Sequence, residues 1–364
     1  MRPPRHTMVY FCKGMSAELT MWHSNERDIT QRFARAQRLL LAPFLLFFPK
    51  SDRLQSSSFG VVRSKDEQRL ACMNRHHSMI YRPHRILWLR LLLIGLMAGM
   101  FVSCVPTFLY RHADRLVLWK IDEYVDLTSD QKAFVRARLK DLLAEHRKDA
   151  LPIYERFLTE IKAHSADGLD RQEVDWMFAR YQELRADLFR RVLADGAVVL
   201  SSLTDRQIRY MEHMFQRDHE KAVRKLREDR DSRLSRRAST TLDWLKDWVG
   251  PYTKDQQQRI KQLSMALPDL LAVRLEYQVD RQHEFLQILQ STKDRQLLSD
   301  YLERWLLFPE QSAPPDYRHA MEHMTNSVKD MILTIDRLIT PQQRTHALVK
   351  LQRLIDDIHA LAAS

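Results

Sequence analysis

The chain has 364 residues, of which 45% are hydrophobic, 29% are charged and only 7 are Gly. Glycine supplies the positive φ angles of tight turns, hairpins and phosphate-binding loops, so its scarcity argues against β-rich, Rossmann and P-loop folds and predicts an all-α protein. The formal charge of +11 would suit a nucleic-acid binder, but much of the excess lies before Met79, so we expect no nucleic-acid partner.

The first predicted element is a secretory signal that begins at Met79, well inside the chain. Basic residues precede the apolar run LLLIGLMAGMFV (Leu91–Val102), which is the order found in signal peptides. Residues 1–78 have an irregular composition with Ser-rich patches. We therefore expect translation to start at Met79 or at Met73, and residues 1–78 to be a spurious or disordered extension. The basic residues of the signal are Arg82, Arg85 and Arg90.

The end of the apolar run, Phe101-Val102-Ser103-Cys104, resembles a bacterial lipobox, in which a small residue precedes a cysteine that becomes lipid-modified. Val102 and Ser103 fit the pattern, whereas Phe101 stands where leucine is usual. The resemblance implies that residues 79–103 are a cleaved lipoprotein signal peptide and that Cys104 is the diacylated first residue. Residues 104–364 would then form a helical envelope domain. No aspartate follows Cys104, which implies an outer-membrane lipoprotein facing the periplasm.

Two other interpretations of the apolar run remain open. Leu91–Tyr110 is long enough to span a bilayer as an uncleaved anchor, which would place a periplasmic domain on the inner membrane. The run could also be a buried core helix. In the signal and anchor interpretations alike, the arginines stay inside and everything after Tyr110 lies across the membrane. No cysteine follows Cys104, so we expect the mature chain to contain no internal disulfide.

Downstream of the signal, one short pattern recurs four times: an apolar residue, Thr, two mostly polar residues and Gln. Threonine at an N-cap accepts a hydrogen bond from the N3 amide, and glutamine at N3 reaches back to the N-cap amide. The pattern therefore predicts four helix starts, and the pair Asp170 and Glu173 predicts a fifth. The four capping boxes are Thr128 with Gln131, Thr204 with Gln207, Thr253 with Gln256, and Thr340 with Gln343.

Apolar residues with helical spacing follow these starts, which predicts an irregular multi-helix bundle. Gly168 and Gly250 fall where helices end, and we expect Pro152 to interrupt one helix and Pro268 to kink another. A single helix is predicted from Asp170 to about Leu203. The spacing of the four boxes is too uneven for a regular solenoid.

A long polar helix is predicted from Thr204 to about Val249. It would span roughly 65–70 Å if it were continuous. Its middle has few apolar residues and many opposite charges four apart, such as Glu220 and Arg224. Such a helix would either project into solvent, as an arm or long hairpin, or pack along a narrow seam. Its charges could also present a surface to a polyanion or a lipid headgroup.

No pattern indicates a catalytic or metal site. The strings Asp280-x-x-His283 and Asp356-x-x-His359 only approach the Glu-x-x-His of di-iron bundles, and G-x-S-x-G is absent. We therefore predict a protein that is not an enzyme and holds neither a metal nor a cofactor. The pair Trp244 and Trp248 fits either core packing or contact with a membrane interface.

The lipobox-like FVSC, the following RHADRLVLWKIDEYVDLTSDQ and the later Thr-x-x-Gln starts resemble a family of uncharacterised helical lipoproteins of proteobacteria. The resemblance covers nearly all of Met79–Ser364, and Ala113–Leu127 is its most specific part. The resemblance implies an address in the cell envelope but no molecular task. The signal, the capped helices and the absence of a catalytic pattern predict a non-catalytic, lipid-anchored protein that binds protein or envelope partners. The repeated L-T-x-x-Q more loosely resembles periplasmic chaperones typified by spheroplast protein Y, which would imply a cradle for unfolded clients.

Overall fold

A computed structural model describes Tyr110 and residues 112–364, and that part of the chain contains twelve α-helices and no strand. The prediction of an all-α multi-helix bundle is confirmed. The helices are α1 (Ala113–Val125), α2 (Ser129–Glu145), α3 (Leu151–His164), α4 (Arg171–Arg190), α5 (Leu193–Ser201), α6 (Asp205–Leu226), α7 (Arg230–Val249), α8 (Lys254–Ala266), α9 (Leu271–Ser291), α10 (Arg295–Leu307), α11 (Pro315–Leu338) and α12 (Pro341–Ala362).

The structure corrects the long helix predicted from Thr204 to Val249, because α6 ends at Leu226 and α7 begins at Arg230. The Asp229 carboxylate caps α7 by accepting a hydrogen bond from the Ser232 amide at 2.8 Å. Helix α6 packs on α1 and α9, and α7 packs on α8 and α12. Their few apolar residues therefore face neighbours, and neither helix projects as an arm.

Two further boundaries differ from the prediction, and one agrees with it. The helix predicted from Asp170 is two helices, α4 and α5, which separate after Arg190. The interruption predicted near Pro152 is present: α2 ends at Glu145, a π-helical turn follows at His146–Ala150, and Pro152 lies in the first turn of α3. Pro268 kinks no helix, because it lies between α8 and α9.

Two boundary glycines have positive φ angles. Gly250, with φ +84°, is the C-cap of α7, as predicted, whereas Gly168, with φ +117°, caps no helix, because α3 ends at His164 and its C-cap is Ser165. Asp126, the C-cap of α1, adopts φ 53° although it carries a Cβ. Residues with Cβ atoms are uncommon at positive φ, so the turn after α1 is held by its surroundings.

Buried side chains form three clusters, called here cores A, B and C. Core A joins residues of α1, α2, α5 and α6 to residues of α9 and α10. Core B joins α4 to α7, α8 and α11, and core C joins α3 and α4 to α12. Burying one large apolar side chain contributes about 1.5–3 kcal/mol, so these clusters dominate the stability of the bundle.

Each core contains helices that are far apart in the sequence. Helix α3 packs along α12, α5 along α10, and α6 along α9. Helices from the first and last hundred described residues are therefore interleaved in the bundle.

Candidate functional site

The four predicted capping boxes are present, each at the start of a helix. Every one of the four threonines has an extended backbone and accepts from the N3 glutamine amide, and every glutamine side chain accepts from the N-cap amide. The Thr Oγ1 to Gln N distances are 3.4, 3.3, 3.2 and 3.2 Å in chain order. The Asp170–Glu173 box at the start of α4 has the same arrangement.

The first two glutamines bind each other across the bundle. Gln207 Nε2 donates to Gln131 Oε1 at 2.7 Å and to the Asp126 carbonyl at 3.0 Å. Gln131 Nε2 donates in return to the Ser202 carbonyl at 3.1 Å, with Gln207 Oε1 at 3.5 Å. The side-chain amide of each glutamine therefore donates to a backbone carbonyl of the other capping box, two residues before the threonine of that box.

The last two glutamines repeat this geometry. Gln256 Nε2 donates to Gln343 Oε1 at 2.8 Å and to the Leu338 carbonyl at 2.7 Å. Gln343 Nε2 donates to Gln256 Oε1 at 3.1 Å and to the Pro251 carbonyl at 2.7 Å. Leu338 and Pro251 again lie two residues before a threonine of a capping box. We call the two arrangements the first and second glutamine pairs.

The glutamine pairs tie helix starts together and are structural. Gln207 is 1% exposed, Gln256 7% and Gln343 8%, so these amides are not available to a ligand. A buried amide without partners costs about 1–3 kcal/mol, and here each amide is satisfied by its counterpart. The sequence predicted the caps but not their pairing, because capping is local and pairing joins residues 76 or 87 positions apart.

The most specific stretch of the family resemblance forms an ionic joint between α1 and α6. Lys120 is 2% exposed, and its Nζ lies 2.6 Å from Glu123 Oε2 and 4.6 Å from the centre of the Tyr124 ring. Arg217 Nη2 lies 3.1 Å from Glu123 Oε1, and the Tyr124 hydroxyl donates to the Asp218 carboxylate. Arg217 is partly exposed, but removing Glu123 would leave the buried Lys120 ammonium without its carboxylate, so this ionic joint fixes α1 against α6.

Tyr110 is held against the π-helical turn. Its hydroxyl donates to the Leu143 carbonyl at 3.2 Å and lies 2.9 Å from His146 Nδ1. Burial raises the pKa of Tyr110 to about 12. Burial, and secondarily the charge of Arg191, lowers the pKa of His146 to about 4. The imidazole is therefore neutral at pH 7 and stabilises the fold in that form.

A surface groove lies between α3 and α4 and has a volume of about 420 Å³. Its aromatic lining includes Trp176, whose ring centre lies 5.7 Å from that of Phe157. Both walls carry one arginine and one glutamate on successive turns. The lining residues are Ile153, Arg156, Phe157, Glu160, Trp176, Ala179, Arg180 and Glu183.

The two Asp-x-x-His strings have other partners. The His283 ring lies 2.9 Å from Gln287, and Asp356 accepts from Gln352 at 2.7 Å. The His359 ring lies 3.1 Å from Glu155. Within the described part of the chain, no three His, Cys, Asp or Glu residues are grouped as metal ligands would be.

The tryptophan pair packs against the cores. The rings of Trp244 and Trp248 lie 6.1 Å apart; Trp244 packs on core B and Trp248 on core C. Lys350 Nζ lies 5.5 Å from the centre of the Trp248 ring. This arrangement corresponds to the core-packing interpretation of the pair.

The predicted signal lies outside the described residues, including the arginines, the lipobox-like residues and Cys104. In the described part, no helix combines the length and the apolar character needed to cross a membrane.

Comparison with known proteins gives one family match. A family of unknown function (DUF6279) matches residues 123–318, which is more than half of the chain. The match begins in α1, ends in α11 and includes the first glutamine pair. No curated protein and no solved structure matches the chain. The chain belongs to this family of unknown function, which agrees with the uncharacterised family predicted from the sequence.

Proposed function

We propose that this protein is a lipid-anchored, non-catalytic lipoprotein of a bacterial envelope that acts by binding a protein partner. The observation that carries the proposal is the run from Leu91 to Cys104, which follows three arginines and ends in a small residue and a cysteine. Such an order is typical of an export signal. The alternative within the same proposal is an uncleaved anchor in the inner membrane.

The charge distribution supports an exported body rather than a nucleic-acid binder. Residues 112–364 contain 41 Lys and Arg and 41 Asp and Glu, so the whole formal charge of +11 lies before them. A nucleic-acid-binding surface needs a basic excess on the folded domain. The basic excess lies instead in residues 1–111, ahead of the folded domain.

The groove between α3 and α4 is the surface that we assign to partner binding. Tryptophan and arginine are the residues most enriched where protein interfaces gain their free energy, and both line this groove. The two walls of the groove are α3 and α4, and on each wall the lining side chains are spaced one helical turn apart. This spacing suits an amphipathic helix that binds between the two walls. The Phe157 and Trp176 rings would contact an apolar residue of the partner, and the four charged side chains that make most of the lining polar would pair with its charges.

Metabolic palmitate labelling and intact mass of the membrane-extracted full chain test the anchor. We expect labelling of the wild-type protein and a mass that begins at Cys104 with its lipid. The Cys104→Ser variant should lose the label, whereas the Ser103→Ala variant, which keeps a small residue before the cysteine, should keep it. An unlabelled chain that retains Leu91–Val102 would replace the lipoprotein by an inner-membrane anchor, and an unlabelled soluble product would overturn both.

Site-specific photo-crosslinking tests the groove. A photoreactive residue at Ala179, which is exposed in the groove, should give one discrete adduct in cells. The same residue at Ala272, exposed on α9 and absent from the groove lining, is the control. The Trp176→Ala change should weaken the Ala179 adduct severalfold. Equal adducts at both positions would contradict a specific partner.

A chaperone function is the second candidate, suggested by the repeated L-T-x-x-Q. Because three of the four paired glutamines are buried and all four bind one another in pairs, the motif itself does not offer a client surface. A chaperone would give a broad smear of adducts at Ala179 and would suppress aggregation of a reduced client at stoichiometric amounts. Absence of suppression, together with one discrete adduct, would leave the partner-binding proposal standing alone.

A further inference from the structure

Sequence landmarks recur in one order in the two halves of the described chain. After Thr128 come Ala150-Leu151-Pro152, then Asp170-Arg171-Gln172, and then the second capping box at Thr204. After Thr253 come Ala266-Leu267-Pro268, then Asp294-Arg295-Gln296, and then the fourth capping box at Thr340. Six helices, α1–α6, surround the first series, and six, α7–α12, surround the second.

Equivalent landmarks have equivalent local structure. Asp170 and Asp294 are the N-caps of α4 and α10, accepting from the amides three residues on at 2.8 and 2.9 Å. The residues four, seven and eight positions after each aspartate are buried in both helices. They are Val174, Met177 and Phe178 in α4 and Leu298, Tyr301 and Leu302 in α10.

The helix before each first threonine also ends in the same way. Val125 closes α1 and Val249 closes α7, and both are buried. The next residue has positive φ in each case, Asp126 at 53° and Gly250 at 84°. Seven positions after the threonine, Val135 in α2 and Ile260 in α8 are again both buried.

The packing is reciprocal between the halves. Helix α1 contacts α2 and α6, and α7 contacts α8 and α12. Helix α3 packs on α12 while α9 packs on α6, and α4 packs on α11 while α10 packs on α5. Helices α4 and α10, which are equivalent, contact each other. Contacts that exchange their members in this way define a twofold, isologous interface.

We infer that residues 113–226 and 230–362 are two copies of one six-helix repeat that exchange their central helix pairs. The pair α3–α4 completes the core of the second copy, and α9–α10 completes that of the first. Without its own central pair, each copy consists of four helices whose apolar core is incomplete. This incomplete core is the interaction surface, and the central helix pair of the other copy is the partner that fits it.

Core A excludes a simple succession of two independent domains. In two such domains, α3 and α4 would fill the core of the first half. Core A instead contains no buried residue of α3 or α4 and nine from α9 and α10. They are Phe285, Leu286, Leu289, Leu298, Tyr301, Leu302, Trp305, Leu306 and Leu307.

Cleavage of the full chain between the two copies tests the exchange. A protease site replaces the connection between α6 and α7, Arg227–Asp229, which is exposed. After cleavage the two fragments should co-elute as one species in native buffer and separate only in denaturant. Separation into two folded species in native buffer would overturn the inference.

Hydrogen exchange on an uncut chain gives a second readout that does not depend on the inserted site. The Leu298→Ala change removes a fully buried side chain of α10 from core A. We expect amides of α5 and α6, in the other copy, to exchange about tenfold faster or more, with a smaller effect in α7 and α8. An effect confined to residues 230–362 would contradict the exchange of helices.

Discussion

The two glutamine pairs have the same hydrogen bonds in different surroundings. In the first pair, Gln131 is partly exposed, whereas in the second pair both Gln256 and Gln343 are buried. Both pairs nevertheless connect each amide to the carbonyl two residues before the opposite threonine. The hydrogen-bond geometry of the pairs therefore does not depend on how deeply the glutamines are buried.

The helices that precede the pairs differ more strongly. Five positions before the buried valine that ends each helix, α1 has Lys120 and α7 has Trp244. The first copy thus joins α1 to α6 by the ionic joint, whereas the second joins α7 to α12 beside Trp248 and Lys350. The same helix contact is therefore stabilised by paired charges in the first copy and by aromatic rings in the second.

The largest expected effect comes from equivalent core positions, Leu298 in α10 and Val174 in α4. Leu298→Ala should lower the free energy of unfolding by about 3–4 kcal/mol, and Val174→Ala by about 2 kcal/mol, through lost burial and the cavity left behind. Urea unfolding at pH 7 measures both. If the copies are interleaved, each variant should still unfold in one transition; two separated transitions in either would contradict this.

Acidification should lower the free energy of unfolding through His146 in the first copy. The connection between α8 and α9, which is equivalent in the second copy, has no histidine. The folded protein protonates this ring only near pH 4, whereas the unfolded chain does so near pH 6.5. Between these values the unfolded chain binds more protons, so stability falls as the pH falls, by up to about 3 kcal/mol. The stabilisation is complete above pH 6.5.

The free energy of unfolding, measured in urea between pH 7 and pH 4.5, checks this effect. The His146→Gln variant is the matched control, because it keeps a polar group beside Tyr110 but does not titrate. Carboxylates titrate in both proteins, so the difference in slope belongs to the histidine. Identical slopes would show that His146 does not contribute.

Breaking the glutamine pairs should have a moderate effect that is larger in the second pair. Gln343→Ala leaves the Pro251 carbonyl and part of the buried Gln256 amide without partners, which should cost about 2 kcal/mol. Gln131→Ala exposes its partners to water and should cost about 1 kcal/mol. A double-mutant cycle within each pair, measured by urea unfolding, should give the larger coupling for Gln256 and Gln343. Equal couplings would refute the role assigned to burial.

Removing a single cap should have the smallest effect. Thr253→Ala deletes the hydroxyl that accepts from the Gln256 amide and should cost about 1 kcal/mol of unfolding free energy. Thr253→Ser keeps the hydroxyl and is the control. Thr128→Ala, at the equivalent position of the first copy, should cost the same within error, since both caps are exposed.

Local features of the fold could be predicted from the sequence. The helix starts at Thr128, Thr204, Thr253 and Thr340 follow from capping boxes, and the end of α7 at Gly250 follows from the backbone freedom of glycine. These features depend on residues three or four positions apart, which a single sequence displays directly.

The long-range features could not be predicted in this way. The break between α6 and α7 depends on Asp229 and on neighbours from α8 and α9, and charge pairs four apart concealed it. The groove requires α3 beside α4, which periodicity does not specify. The repeat was accessible in principle, because the landmarks from Ala150 and from Ala266 stand in the same order.

The position of α10 in core A has a consequence for the timing of folding. The core of the first copy cannot form until the chain has been synthesised or exported as far as Leu307. Contacts of such long sequence separation form slowly, and the incomplete first copy would expose apolar surface during synthesis or export. Nascent chains stalled before α9 should therefore remain protease-sensitive throughout residues 113–226.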